Sequence, residues 1–186
     1  MAAEFHGHVC PGLAMGYRVA KYVREHYPRS EDEELVCIAE NKSCSVDAVQ
    51  FLLGCTAGKG NLIVVDNGKQ AFTFYSRDKS RAMRIYFQGD VFGRMDALRL
   101  KAAAGELSPG ERKEMDALRS QVIDTILSGR DEDLLAVKEV DIPAPDKAKI
   151  YPSLRCQQCG ERFMEIKGRT AEGKVLCKDC FEKIVC

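Results

Sequence analysis

His6, His8 and Cys10 fall within five residues of the opening stretch FHGHVCPG. Imidazole nitrogen and thiolate sulfur ligate transition metals, and a thiolate is also a nucleophile. In an extended segment alternate side chains share one side, so all three could point at one place; His8, nearer Cys10 and the helix start, is the first choice of ligand, with His6 as its support or a fourth ligand. Pro11 suits the first position of a helix, which makes Cys10 its N-cap. There the unpaired N–H groups and the positive end of the helix dipole favour the thiolate. The arrangement recurs in NKSCSVDAVQ, where Cys44 stands at the start of a second helix, and Cys55 follows Gly54 at the other end of that helix. GCTAGKGN, with Thr56, Lys59 and Asn61, is a glycine-rich turn suited to an anion. It is not a P-loop, because its glycines are too closely spaced and Gly60 stands where a magnesium-binding hydroxyl is needed. Cys37, inside an apolar run, reads as a small buried hydrophobe. From the residues alone, Cys10, Cys44 and Cys55 are open to two readings, a shared metal site or a reactive thiol.

A second set of cysteines is more specific. Cys156, Cys159, Cys177 and Cys180 form two CxxC pairs at the spacing of a four-cysteine zinc site. Four thiolates close the coordination sphere, so this zinc is structural and supplies folding energy to a unit too small to bury a core. The glycines between the pairs fit hairpins, with Phe163, Met164, Ile166, Val175 and Leu176 as an apolar pad. FEKIV after Cys180 reads as a short helix, as in a treble-clef or ribbon-type finger, and the terminal Cys186 as a free thiol.

The elements that must position these residues are legible in part. The spacing predicts helices over 11–27, 45–54, 91–104 and 109–127, the last opened by the capping box Ser108-Pro109-Gly110-Glu111. Leu13, Tyr17, Ala20 and Tyr27 are expected on the core face of the first. Strands are expected over 34–40, 81–87 and 134–142, with a hairpin over 61–76 turning at Asn67-Gly68. The fold class is therefore α+β, a mainly antiparallel sheet flanked by helices. The domain reading is a core over 1–142, a proline-rich linker over 143–155 and a zinc finger over 156–186.

Composition argues against some partners, while leaving room for a local basic patch. Lys+Arg and Asp+Glu both number 28, so no net charge draws the chain to nucleic acid or an acidic membrane. Within the tail, six basic residues meet five acidic ones, a weak basis for phosphate binding. No run approaches the ~18–20 apolar residues of a membrane span. MAAEFHGHVC lacks a secretory pattern, so a reducing cytoplasm is expected, where clustered cysteines point to metal or redox chemistry.

FHGHVCPGLAMGYRVA together with NKSCSVDAVQFLLGCTAGKGNLIVVDNGKQAFTF resembles the FmdE family, named for a small component of formylmethanofuran dehydrogenase. The resemblance covers residue 5 to about 90 by motif, and the zinc finger resembles an addition found in some members. It implies an α+β fold, often a homodimer, with a metal near the His/Cys motifs. Carried onto this sequence, the implied site residues are His6, His8, Cys10, Cys44, Asp47, Cys55, Thr56 and Lys59. Zinc, iron and nickel all suit such ligands.

Two functions are compatible with these residues. One is an accessory subunit or metal carrier of a larger redox complex, linked to one-carbon metabolism. The other is a stand-alone metal-dependent enzyme acting on a formyl or similar small carbonyl group. In the second, Cys10, Asp47, Thr56 and Lys59 are the expected catalytic group, with Lys59 steadying an anion and Asp47 orienting a histidine or shuttling a proton. Ligand count separates the two. Four tight protein ligands argue for structure or carriage, whereas three and an open position argue for catalysis.

Overall fold

The computed structural model of the chain describes residues 1–185, so Cys186 lies outside them. These divide into two compact units, Met1–Lys147 and a second one from Ala148 onward. The first runs α1 (Ala2–His6), α2 (Pro11–His26), β1 (Leu35–Ala39), α3 (Ser45–Leu53), β2 (Leu62–Val64), β3 (Ala71–Ser76), β4 (Arg81–Phe87), α4 (Gly93–Ala103), α5 (Pro109–Ser128), α6 (Asp131–Leu134) and β5 (Leu135–Val140). The five strands form one sheet in the order β2-β1-β3-β4-β5, antiparallel except for the β1–β2 pair.

Period-two alternation divides the sheet into two faces. Leu35, Cys37 and Ala39 of β1, Phe72 and Phe74 of β3, and Met83, Ile85 and Phe87 of β4 point into the main core. Helices α2 to α5 lie on that face, through residues such as Val19, Val49, Met95 and Ile126. The opposite face carries a smaller cluster of Val36, Tyr75 and Ala82, against which Val140 and Ile142 pack. Among the described residues, no helix is long and apolar enough to cross a membrane.

The expected hairpin over 61–76 does not form. Its two halves lie on opposite sides of β1, with β2 parallel to it and β3 antiparallel. The chain passes over the end of β1, where Val65 N–H donates to Ala39 O and Lys69 N–H donates to Glu40 O. Gly68 does take a positive φ of 69°, but so does Asp66 at 52°, and the turn is too wide for a two-residue hairpin. β1 is buried at nearly every position and takes the place between the two halves. The more exposed β2 is left at the edge.

Leu13 and Ala20 of α2 and its C-cap Tyr27 are buried as expected, and Tyr17 departs. Tyr17 is 40% exposed, while Ala14, Met15, Gly16, Arg18, Val19 and Val23 are buried. The helix is wrapped by α3, α5 and the sheet, so one stripe does not describe it. Arg18 is buried and donates to Leu127 O at 3.2 Å and Gly129 O at 2.6 Å, and it also pairs with Asp131. It thereby caps the end of α5 from the side of α2.

The closest approach of α2 and α3 is made at two glycines. A Cβ on Gly16 would fall 2.1 Å from Ser45 O, and one on Gly12 would fall 3.1 Å from the Cys44 Cβ. No side chain fits the first position without moving backbone. The start of α3 is fixed from the other side by Asn41, whose Oδ1 accepts from Ser43 N–H at 3.1 Å and from the Ser43 and Ser45 hydroxyls. Gln70 Oε1 accepts from Ser45 as well, at 2.9 Å.

In the second unit, β6 (Ser153–Arg155) pairs with β7 (Arg162–Met164), and β8 (Arg169–Ala171) pairs with β9 (Lys174–Leu176), before α7 (Lys178–Val185). β6 falls inside the segment read as linker, so the finger begins earlier than its first cysteine. Its core is Cys156, Leu176 and Cys180 with Phe163, Ala171 and Phe181. Met164, Ile166 and Val175 are exposed rather than part of that pad.

Gly16→Ala should therefore lower unfolding stability by about 1–3 kcal/mol or more. Gly58→Ala, with nothing within 4 Å of the added Cβ, should leave it nearly unchanged. Urea unfolding midpoints of the two variants check this contrast.

Candidate metal centres

His6, Cys10 and Cys44 converge, with one ligand atom from each lying within 4.8 Å of the others. Two helix starts and one helix end bring them there. Cys10 is the N-cap of α2, and its sulfur accepts from Leu13 N–H at 3.4 Å. Cys44 is the N-cap of α3 but makes no side-chain cap bond, so its sulfur is free to face Cys10. The absent side chain at Gly12 leaves room for that meeting. His6 ends α1, which stops at Gly7 in the left-handed region with φ of 94°.

The first eight residues are therefore not an extended segment whose alternation would align His6, His8 and Cys10. His6 reaches Cys10 across a turn, its Nε2 at 3.8 Å from the sulfur. His8 is exposed, with its ring centroid 4.6 Å from that of His6, and it stands outside the convergent trio.

The other ring nitrogen sets the tautomer. His6 Nδ1 lies 2.7 Å from Asp47 Oδ2, and a carboxylate can only accept, so Nδ1 carries the hydrogen. Nε2 is then the ring nitrogen directed to the thiols. A histidine held by a carboxylate through one nitrogen and presenting the other is the usual arrangement of a metal-ligating imidazole. Burial raises the Cys44 thiol above its ordinary value, helped by its hydrogen bond with Cys10. A cation held between the sulfurs would displace that proton.

The GCTAGKGN turn does not join the trio. Cys55 is fully buried beside Leu35 O at 3.5 Å, and burial pushes its thiol up to about 12 against the opposing pull of Lys59 and Arg29. It neighbours Cys37, whose thiol burial also raises. Lys59 Nζ donates to Ser30 O and Glu31 O at 3.3 and 3.0 Å, so it staples the loop before β1. Thr56 Oγ1 accepts from Lys59 N–H within the turn. Asn61 is the hub, buried, with its amide shared among Asp32 O, Leu35 O and Gly54 O and its carbonyl accepting from Thr56 N–H. Glycines and an amide at this density thus mark a structural clamp.

That clamp still bears on the trio. Ala57 N–H donates to Gln50 Oε1 at 3.3 Å, and Gln50 Nε2 donates to Asp47 Oδ1 at 3.4 Å. The relay ends on the carboxylate that holds His6. Gln50 and Gly12 fall within the two motif blocks but are not among the implied site residues, and Gly16 lies outside the HGHxCPG pattern; an i, i+3 pair with Asp47 is the available signal for Gln50.

A cleft of about 610 Å³ opens over Cys10 and Cys44, lined also by His8, Gln70, Met95 and Arg119 among others. Among the described residues no fourth His, Cys, Asp or Glu ligand atom joins the trio within 4.8 Å, and the potential ligands His8 and Asp116 line the same cleft without belonging to it.

In the second unit, the sulfurs of Cys156, Cys159, Cys177 and Cys180 lie within 4.8 Å of one another. The Cys159 and Cys177 sulfurs are 3.9 Å apart, close to the roughly 3.8 Å edge of a tetrahedron with Zn–S of ~2.3 Å. Desolvation opposes it, but the backbone amides of Cys159, Cys177 and Gln158 hold the Cys156 thiol down to about 6. A hydrogen bond with Cys177 pushes Cys180 up to about 12. The set therefore gives up its protons unevenly until a dication neutralises it.

Cys44→Ser and Cys10→Ser should each lower the metal content of the full chain by one equivalent, while Cys55→Ser leaves it unchanged. Elemental analysis of the three variants against wild type reads this directly.

Known proteins divide along the same boundary. Residues 5–136 match the family model described as "FmdE, Molybdenum formylmethanofuran dehydrogenase operon". Residues 149–185 match the prokaryotic dksA/traR C4-type zinc finger. A protein of Archaeoglobus fulgidus described as a probable S-adenosyl-L-methionine-binding protein is 30% identical over 191 aligned positions, covering 96% of this chain and 51% of that protein. The chain thus spans about half the length of this curated relative. A crystal structure of a tungsten formylmethanofuran dehydrogenase FmdE-like protein from Syntrophus aciditrophicus shares the fold, with a TM-score of 0.62 at 24% identity over 97% of this chain and 88% of that one. The chain belongs to the FmdE family and carries a C4 zinc finger at its C-terminal end.

Proposed function

We propose that His6, Cys10 and Cys44 hold a transition metal whose fourth position opens into the cleft, and that the chain acts on a small carbonyl or formyl-type ligand bound there. The supporting observation is the combination of three convergent ligands with an open side. The Asp47–His6 bond orients the ring, with Nδ1 on the carboxylate and Nε2 toward the sulfurs. Zinc, iron and nickel fit one imidazole and two thiolates. Such an ion supplies Lewis acidity toward an oxygen ligand. The chain's residues supply the rest. Cys10 and Cys44 give negative charge, Asp47 fixes the ring, and the wall around Met95 limits water.

A second reading follows from the family description, which is tied to a formylmethanofuran dehydrogenase operon. In it the chain is an accessory subunit or metal carrier of a larger redox complex in one-carbon metabolism. Homodimerisation and a cytoplasmic setting belong to both readings. Three convergent ligands beside a cleft support the first.

The deciding experiment is ligand access. In a Cys156→Ser/Cys159→Ser variant loaded with Co²⁺, azide should shift the visible spectrum of the core ion. An unchanged spectrum at saturating azide means a closed centre, and the carrier reading then stands. Asp47→Asn should also weaken core-metal affinity by about 10–100-fold, as loss of a carboxylate behind a histidine ligand does. Competition with a chelator measures that loss.

A further inference from the structure

The cleft over Cys10 and Cys44 is walled on one side by α4 and α5, which contribute Met95, Arg99, Met115, Asp116 and Arg119. Two of these are cations, and their surroundings differ. Arg99 is already engaged, with Asp96 at 3.1 Å and the Phe92 ring at 4.7 Å. Arg119 has no acidic partner among the described residues. Its single hydrogen bond is a loose one of 3.5 Å to Val9 O, the residue before Cys10. Asp116, one turn earlier on α5, does not pair with it. A guanidinium fork with free donors thus lines the same cleft as Cys10 and Cys44, with Met95 and Met115 on the α4 and α5 wall beside it.

We infer that Arg119 anchors the carboxylate of a small organic acid whose carbonyl end reaches the open position of the core metal. The inference rests on the open-centre reading above and names the substrate class of that site. A guanidinium pairs with a carboxylate through two parallel N–H···O bonds, which fixes direction as well as affinity. Met95 and Met115 then face the apolar carbons between the two ends, as adaptable walls suited to ligands of varying shape. The cleft volume lies within the ~300–1,000 Å³ range of small-molecule sites, so it holds more than a formyl group alone.

Calorimetry on the metal-replete full chain tests this, with 2-oxobutyrate, butyrate, inorganic phosphate and 2-butanone as probes. The expected order is 2-oxobutyrate tightest, butyrate weaker, and the other two weakest. Arg119→Gln should weaken both carboxylates by about tenfold or more with metal content unchanged, since a hydrogen bond to a charged group contributes ~1.5–3 kcal/mol. Arg119→Lys should recover part of the loss. Cys44→Ser should abolish the advantage of 2-oxobutyrate over butyrate and leave butyrate binding intact. Equal carboxylate binding by wild type and Arg119→Gln overturns the assignment, as does phosphate binding as tightly as 2-oxobutyrate or wild type binding neither acid. Loss of binding in Arg119→Gln with no change in Cys44→Ser keeps the anchor but removes the metal contact, which is a failure of the open-centre reading instead.

Discussion

The close passage of α2 over α3 is the constraint on which the core centre depends. Two thiols sit at two helix starts, and helix starts meet only if the helices approach nearly backbone to backbone. Gly16 permits this by having no atom where Ser45 O lies, and Gly12 by leaving room for Cys44. Ser45 is held in turn by Asn41 and Gln70, so the carbonyl that Gly16 must avoid is itself fixed. Packing of this kind is bistable rather than elastic. A displaced α3 would separate Cys44 from Cys10 and carry Asp47 away from His6.

The same geometry explains why the glycine-rich block stands next to α3 without entering the centre. Asn61 closes the turn after α3 onto the loop before β1, and Lys59 caps carbonyls of that loop. This locks the C-terminal end of α3 while Asn41 locks its start. Gln50 then passes the order of the turn to Asp47. One helix of nine residues is thus pinned at both ends so that its first turn can hold a carboxylate and a thiol in place. The C4 finger needs no such scaffold, because its sulfurs come from two CxxC turns around a small cluster with Leu176, Phe163 and Phe181.

Much of this is readable without the fold. Cys10 as an N-cap follows from Pro11, Cys44 from the apolar period after it, and the finger from its spacing. Family membership follows from the two motif blocks. The rest is hidden for physical reasons. A five-residue helix carries too little periodicity to be seen, so spacing puts His6 on an extended segment and ranks His8, nearer Cys10, ahead of it, whereas His6 is the one that meets the thiols. Asn67-Gly68 suits a hairpin locally, but β1 occupies the space between the two strands, a non-local outcome that no turn signal reports. Cys55 shares the glycine-turn setting of a ligand yet is turned into the core. Sequence shows that a thiol is at a boundary, not which way it points.

The central claim is a core ion held by one imidazole and two thiolates with one position open. Metal K-edge absorption on a Cys156→Ser/Cys159→Ser chain, which isolates the core ion from the finger, measures that coordination shell. The expected shell is two sulfur scatterers, one imidazole and one further light atom that is exchanged when an external ligand is added. A shell of four protein ligands, or one without sulfur, would contradict it.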